Sequence, residues 1–340
     1  MDTAGPKRRV SRAEVAKLAG VSPAVVSYVI HNGPRPVASA TRARVRAAID
    51  ELGYRPHPIA QALRGQPTKS VGLLIPDEGA NPFFSSLYQA VEEAAFRRGF
   101  VVLMGNSMNS AEREREYLTN FTERKVDAVI VIPVEGSLIT SEVAQAEMPV
   151  LALDRVADPG IATVMSDNRR GAFDATTHLL GHGYDSVGCI AGPQAIGGGQ
   201  DRVEGWREGL ESAGVKPDAD WLQAERFTMA GGLAAARKLL AAEHRPRAIF
   251  ASADVQAIGA IRACAELGLR VPDDVAIVSF DGSDACEFST PPLTSVTQSV
   301  AEMAEVAIAR LLGEASSEPG EQVTIPTELV LRRSCGCDEG

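Results

Sequence analysis

Apolar positions along this chain repeat with two different periods, and the change from one to the other falls near residue 70. In residues 11–33, SRAEVAKLAGVSPAVVSYVIHNG, the spacing predicts two short helices joined by a tight turn. Ser11 and Glu14 form an S-x-x-E capping box that starts the first helix at about Arg12. Val15 and Leu18 fall on one face and are expected inside, while Gly20 tolerates the left-handed conformation that stops the run. Ser22 supplies the second N-cap, with Pro23 in the first helical position and Val25, Val26 and Val29 as the next inward stripe. A third helix follows in 37–54, where Val45, Ala48, Ile49 and Leu52 recur beneath a basic face. Three helices sharing one small core make a helix-turn-helix head whose second helix lies in the major groove. Pro23, Ala24 and Tyr28 then point at base edges. A plain helical hairpin is the bland alternative.

From Ser70 the pattern turns to short β-branched runs alternating with amphipathic segments, as in parallel sheets covered on both faces. VGLLI (71–75), VVLM (101–104), AVIVI (128–132) and VLAL (150–153) form one set of strands. VGCI (187–190), AIF (248–250), VAIVS (275–279) and SVTQ (295–298) form a second. The second set alternates with helices near 171–181, 202–213, 230–241, 254–267 and 300–312, and two sets imply two lobes. Ligands in open α/β sheets bind at the carboxyl ends of strands, which here carry Pro76 and Asp77, Asp154 and Arg155, and Phe280 and Asp281. Between head and body, Pro56, Pro58, Gly65 and Pro67 bracket a single helical turn, Ile59 to Arg64. So short a helix is marginal alone and forms only against a partner. Leu63 within it suits a wedge in a minor-groove base step and equally suits packing on the body.

Charge separates the same two regions. Through residue 70 there are twelve Lys/Arg against four Asp/Glu, and beyond it twenty-two against forty, so a net charge of −10 hides a basic head on an acidic body. Arg9, Arg12, Arg35, Arg42 and Arg64 are better suited to positioning the head on phosphates than to reading bases. The absence of a signal stretch or an apolar run of spanning length predicts a cytoplasmic protein away from the membrane. Five cysteines in such a chain predict thiols rather than a disulfide framework. Cys335 and Cys337 form an isolated C-x-C with no further ligands nearby in sequence, so neither a metal nor another cofactor is expected. His178 and His182 share a helical face at i, i+4 and read as surface residues. The expected organisation is a head at 1–57, a hinge helix and linker at 58–69, a two-lobed body at 70–334 and a tail at 335–340.

The motifs VAKLAGVSPAVVSYVI, ELGYRPHPIAQALR, IPDEGANPFF, LALDR, DRVEGW, FDGSDA and TPPLTSVTQ, in this order, resemble those of the lactose-repressor/galactose-repressor (LacI/GalR) family across nearly the whole chain. The resemblance implies an all-α helix-turn-helix head joined to an α/β effector domain like periplasmic sugar-binding proteins. It further implies a homodimer, with a tetramer as the larger alternative, on near-palindromic double-stranded operator DNA, and it assigns Leu63 to the minor-groove wedge. The expected DNA-contacting set is Ser22, Pro23, Ala24, Ser27, Tyr28, His31, Asn32 and Tyr54, with Ile59, Ala60, Leu63 and Arg64 from the hinge. Carried over residue by residue, Asp154, Arg202, Asp281 and Gln298 become polar effector contacts and Phe83 and Phe227 apolar walls, suited to a sugar.

Three departures stand out. Ala253 replaces a common Asn, Gly197, Gly198 and Gly199 replace small polar residues, and GANPFF carries one residue more than the common spacing, which leaves the place of Phe83 open. Fewer hydrogen bonds then suit a larger or less polar effector, or none. The expected function is a transcriptional repressor controlled by a small effector. Two alternatives stay open: an enzyme acting on a sugar or nucleotide, for which the chain offers no Walker loop, G-x-S-x-G or H-E-x-x-H, and a DNA binder without effector.

Overall fold

The computed structural model describes residues 10–31, 35–55, 67–76, 81–137, 139, 148–156, 160–193, 197–316 and 318–337. They belong to two compact units, Met1–Thr68 and Lys69–Gly340. The first holds helices α1 (Arg12–Ala19), α2 (Pro23–His31) and α3 (Ser39–Leu52). The capping box forms as the sequence predicts, with Ser11 N–H donating to Glu14 Oε2 at 2.6 Å and Glu14 N–H to Ser11 Oγ at 3.3 Å. Gly20 ends α1 at φ 63°. The Val25 amide donates to Ser22 Oγ at 3.4 Å, and the axes of α1 and α2 are bent by 100°, a helix-turn-helix angle. Val15, Ala16, Ala19, Val26, Val29, Val45 and Ala48 make the buried core, with Ile49 and Leu52 partly buried against it. Leu18 is 47% exposed, contrary to expectation, because Ala16 and Ala19 rather than Leu18 share the inward face with Val15.

In the second unit, β1 (Ser70–Ile75), α4 (Pro82–Arg97), β2 (Val101–Asn106), α5 (Ala111–Glu123), β3 (Ala128–Val131), β4 (Val150–Leu153) and β5 (Thr163–Ser166) build one lobe. The second lobe takes α6 (Asn168–Gly181), β6 (Val187–Ala191), α7 (Gly197–Ser212), β7 (Leu222–Ala224), α8 (Met229–Ala241), β8 (Ala248–Ala251), α9 (Asp254–Glu266), β9 (Ala276–Asp281), α10 (Ala285–Phe288) and β10 (Thr294–Gln298). The chain then returns through α11 (Val300–Leu311) and β11 (Gln322–Ile325) to the first lobe and ends in the second with β12 (Thr327–Val330). The sheets run β11-β5-β4-β3-β1-β2 and β12-β10-β9-β8-β6-β7, and among the described residues only the β10–β12 pair is antiparallel. The chain therefore passes between lobes at Asp167, Ser299 and Pro326, three short crossings.

Each lobe has the same doubly wound strand order, so each puts a topological switch point at the carboxyl end of its first strand. Strands whose runs are wholly apolar match their expected positions within about two residues, whereas β5, β7, β11 and β12 had no counterpart in the apolar pattern. The body does not stop at 334. Cys335 is fully buried in the core of the second lobe, and the 3-10 turn Arg333–Cys335 is tied in by Ser334, whose hydroxyl donates to the Ile277 carbonyl at 2.6 Å. No single helix among the described residues is long and apolar enough to cross a membrane.

Candidate functional site

On the head, Ser22, Pro23 and Ala24 are exposed at the start of α2, and Ser27 and Tyr28, one turn on, are half-buried. That places polar and small side chains at the start of α2. His31 is the last residue of α2, and Tyr54 packs partly against the head core. Lys17, Arg35, Arg44 and Arg46 are exposed, while Arg12 and Arg42 are half-buried. Asn32 and the hinge positions Ile59, Ala60, Leu63 and Arg64 lie outside the described residues, as do Arg9 and Asp77.

Within the body, a crevice is lined by Asn81, Phe83, Phe84, Asp154, Arg155, Gly198, Gly199, Arg202, Phe227 and Asp281. The strand-end rule put Asp154 and Asp281 here, and both hold positive φ, 68° and 116°. A non-glycine residue in that region is strained, and such strain concentrates where a site must be pre-shaped. Five of the six expected effector residues line this crevice. The sixth, Gln298, sits behind Asp281 and donates from Nε2 to its Oδ1 at 2.8 Å.

Arg202 organises the floor. Its guanidinium stacks 3.8 Å from the centre of the buried Phe280 ring, Nε donates to Asn168 Oδ1 at 2.8 Å, and Nη1 donates to the Ser252 carbonyl and to Asp281 Oδ1 at 3.3 Å. Among the described residues, Asp281 Oδ2, Gln298 Oε1 and Gln256 Oε1 have no hydrogen-bond partner. Buried polar atoms left unmatched are costly, and of these only Asp281 lines the crevice itself. Asp254, by contrast, is saturated by Ser279, Ser283 and Ser295 at 2.6–2.8 Å, and its role is to brace the ends of β9 and β10.

The walls are aromatic. Phe83 and Phe84 meet edge to face with centroids 5.5 Å apart, and both line the crevice. Opposite them, Phe227 lies on Gly192, where a Cβ would come within 1.9 Å of the ring. Gln256 fastens this corner by donating to the carbonyls of Ala191, Glu225 and Arg226. Asn81, Phe84 and Arg155 also line the crevice, and Asn168 holds Arg202 from behind it, though none was among the expected effector residues. Arg155 follows a strand and was findable by the same rule as Asp154, whereas Asn168 acts only through Arg202 and leaves no local signal.

Burial pushes the Asp281 carboxyl up to about 7, opposed by Arg202 and by the Gln298 amide and reinforced by Asp254 and Asp154. Burial likewise raises Asp154, against the pull of Arg155 3.6 Å away and of Arg202. The folded state therefore holds a proton on Asp281 where the unfolded chain has released it. Its contribution favours folding most below the ordinary carboxylate range and is lost as pH rises through about 7. Melting temperatures taken from about pH 5 to about pH 8 should fall more steeply in the wild type than in Asp281→Asn, by several degrees. Parallel curves would show that Asp281 does not titrate there.

Residues 13–57 match the family model described as bacterial regulatory proteins, lacI family, and residues 176–335 match a periplasmic binding protein-like domain. The HTH-type transcriptional repressor PurR of Pasteurella multocida is 33% identical over 326 residues, spanning 94% of this chain and 97% of that protein. The PurR of Photobacterium profundum is 30% identical over the same shares. Among solved structures, the complex of the transcriptional regulator CelR with cellobiose is 32% identical, with 96% and 100% of the two chains covered and a TM-score of 0.71. The lac repressor dimer bound to operator and the anti-inducer ONPF is 26% identical, with 96% and 99% covered and a TM-score of 0.84.

Proposed function

Because the chain belongs to the lacI family of bacterial regulatory proteins, whose members among its relatives are DNA-binding repressors with an effector domain, we propose how its own parts divide that work. As a homodimer, its two heads grip a dyad-symmetric operator, and a sugar held in the body crevice sets the strength of that grip. The observation that carries the effector half is the buried acceptor Asp281 Oδ2, unmatched among the described residues and backed by Gln298, in a crevice walled by Phe83, Phe84 and Phe227. A hydroxyl-bearing ring offers donors to that acceptor and apolar faces to the rings. Gly198, Gly199 and Ala253 in place of polar side chains favour, as a second reading, a larger or less polar effector in the same crevice. The CelR neighbour carries cellobiose, which supports the sugar.

The dimer is supported by the neighbouring repressor dimer and by the outer strand of the first lobe. There β2 exposes Val101, Leu103 and Met104 on an unpaired sheet edge, an arrangement that soluble proteins cover. On the head, Ser22, Pro23, Ala24, Ser27, Tyr28 and His31 form the base-reading set, Leu63 the minor-groove wedge, and the arginines the phosphate contacts.

Selection of duplexes from a random pool by the purified protein should return a dyad-symmetric sequence whose affinity falls steeply with salt. Tyr28→Ala should lose about tenfold or more of the preference for that sequence over random duplex, because one base contact is worth about 1–3 kcal/mol. Full retention of preference in both Tyr28→Ala and Leu63→Ala would overturn the assignment of the reading surface. Chemical consumption of a bound sugar would overturn the regulatory role of the crevice.

A further inference from the structure

Away from the crevice, the end of α6 meets the last described residues of the chain. His178 lies in the final turn of α6 and His182 is its C-cap, and their rings meet edge to face with centroids 4.7 Å apart. Facing them, the turn Arg333–Cys335 closes on Gly336 at φ 99° and presents Cys335 and Cys337 from one short bend. Only glycine fits that bend comfortably, since a Cβ would stand 3.0 Å from Tyr184 Oη as well as in the left-handed region. His182 Nε2 is 3.2 Å from Cys337 Sγ, that sulfur is 3.7 Å from His178 Nε2, and the ligand atoms of all four residues lie within 4.8 Å of one another.

We propose that His178, His182, Cys335 and Cys337 hold a structural Zn²⁺ ion. A tetrahedral zinc with two nitrogen and two sulfur ligands sets N···S separations at about 3.6 Å, which the two measured values bracket. Four protein ligands close the coordination sphere and leave no position for a substrate, as in structural rather than catalytic sites. Charge fits as well. Two thiolates and two neutral imidazoles cancel the dication, so the site can rest against the core where Cys335 is fully buried. The supporting shell is in place: Thr294 Oγ1 donates to Cys335 Sγ at 3.1 Å and Tyr184 Oη to the Cys335 carbonyl at 3.3 Å. Soft sulfur with imidazole in this geometry selects zinc over magnesium or calcium. The ion would staple the end of the chain to α6, joining the far ends of two elements that enter the second lobe at separate crossings.

The test is the metal content of the full-length protein, purified reduced, supplied with zinc and desalted without chelator. We expect about one zinc per chain by elemental analysis, and, after exchange with Co²⁺, the visible bands of a tetrahedral centre with a thiolate-to-cobalt charge-transfer band. His182→Gln and Cys337→Ser should each weaken zinc binding by about tenfold or more. His182 is exposed, so His182→Gln separates loss of metal from loss of fold, which circular dichroism would register. Zinc below about one-tenth equivalent in the wild type, or undiminished zinc in both variants, would overturn the proposal. So would a Cys335–Cys337 disulfide in the metal-supplied protein.

Discussion

Arg202→Leu should abolish effector binding and lower the melting temperature of the body by about 10 °C. The guanidinium satisfies Asn168 Oδ1, the Ser252 carbonyl and Asp281 while lying on the Phe280 ring. Leucine fills part of that volume and supplies no donor. Asn168 Oδ1 and the Ser252 carbonyl then lose this donor and Asp281 Oδ1 keeps only the Gln298 amide, and the penalty for breaking such a buried ion pair is about 3–5 kcal/mol. Asp281 also loses the cation that opposes its upward shift, so its carboxyl stays protonated to higher pH and no longer presents the charged acceptor. Calorimetric titration should show effector affinity down by at least about 100-fold. Arg202→Lys, which keeps the charge but not the planar fork, should fall between the two. Wild-type affinity in Arg202→Leu would remove Arg202 from the site.

Met104→Asp should convert the dimer to monomers and weaken operator binding by about 10²–10⁴-fold, the factor gained when a second head binds intramolecularly. Met104 is 53% exposed and lies on β2 with Val101 at 58% and Leu103 at 38%, at the outer edge of the first sheet. A carboxylate on each of two facing copies cannot be desolvated without a counter-ion. Sedimentation equilibrium and anisotropy with a single operator duplex measure the two effects separately. A variant that stays dimeric with unchanged operator affinity would place the interface elsewhere on the body.

The head was legible because its rules are local. Ser11 and Glu14 cap within one turn, and Gly20 stops within the next. Leu18 misled because hydrophobicity alone cannot tell which side of so short a helix faces in, and two alanines fill the tight space instead. In the body, the strands that announce themselves are apolar on both faces, as β1, β3 and β9 are, each buried along its whole length. The strands β11 (QVTI) and β12 (TELV) have only four residues, lie at sheet edges and alternate with polar side chains, so they carry little signal.

Asp154 and Asp281 were legible from strand ends, and the family resemblance added Arg202 and Gln298. Asn168 was not legible, because its contact with Arg202 spans 34 residues. The His/Cys cluster shows the same limit more sharply. Cys335 and Cys337 lack neighbouring ligands in sequence, and the fold supplies His182 and His178, which lie 155 and 159 residues before Cys337.

Central to this account is a body crevice whose occupant changes the hold of the head on DNA, which requires an effector with different affinity for the two states of the protein. The most direct measurement is reciprocal. Operator affinity is titrated by anisotropy with and without each of a panel of sugars and nucleosides, and the affinity of the same ligand is measured on free and operator-bound protein. One ligand should change operator affinity by about fivefold or more, operator should change the affinity of that ligand by the same factor, and Arg202→Leu should show neither effect. A wild type whose dyad-specific binding is indifferent to every ligand that occupies the crevice would contradict the account.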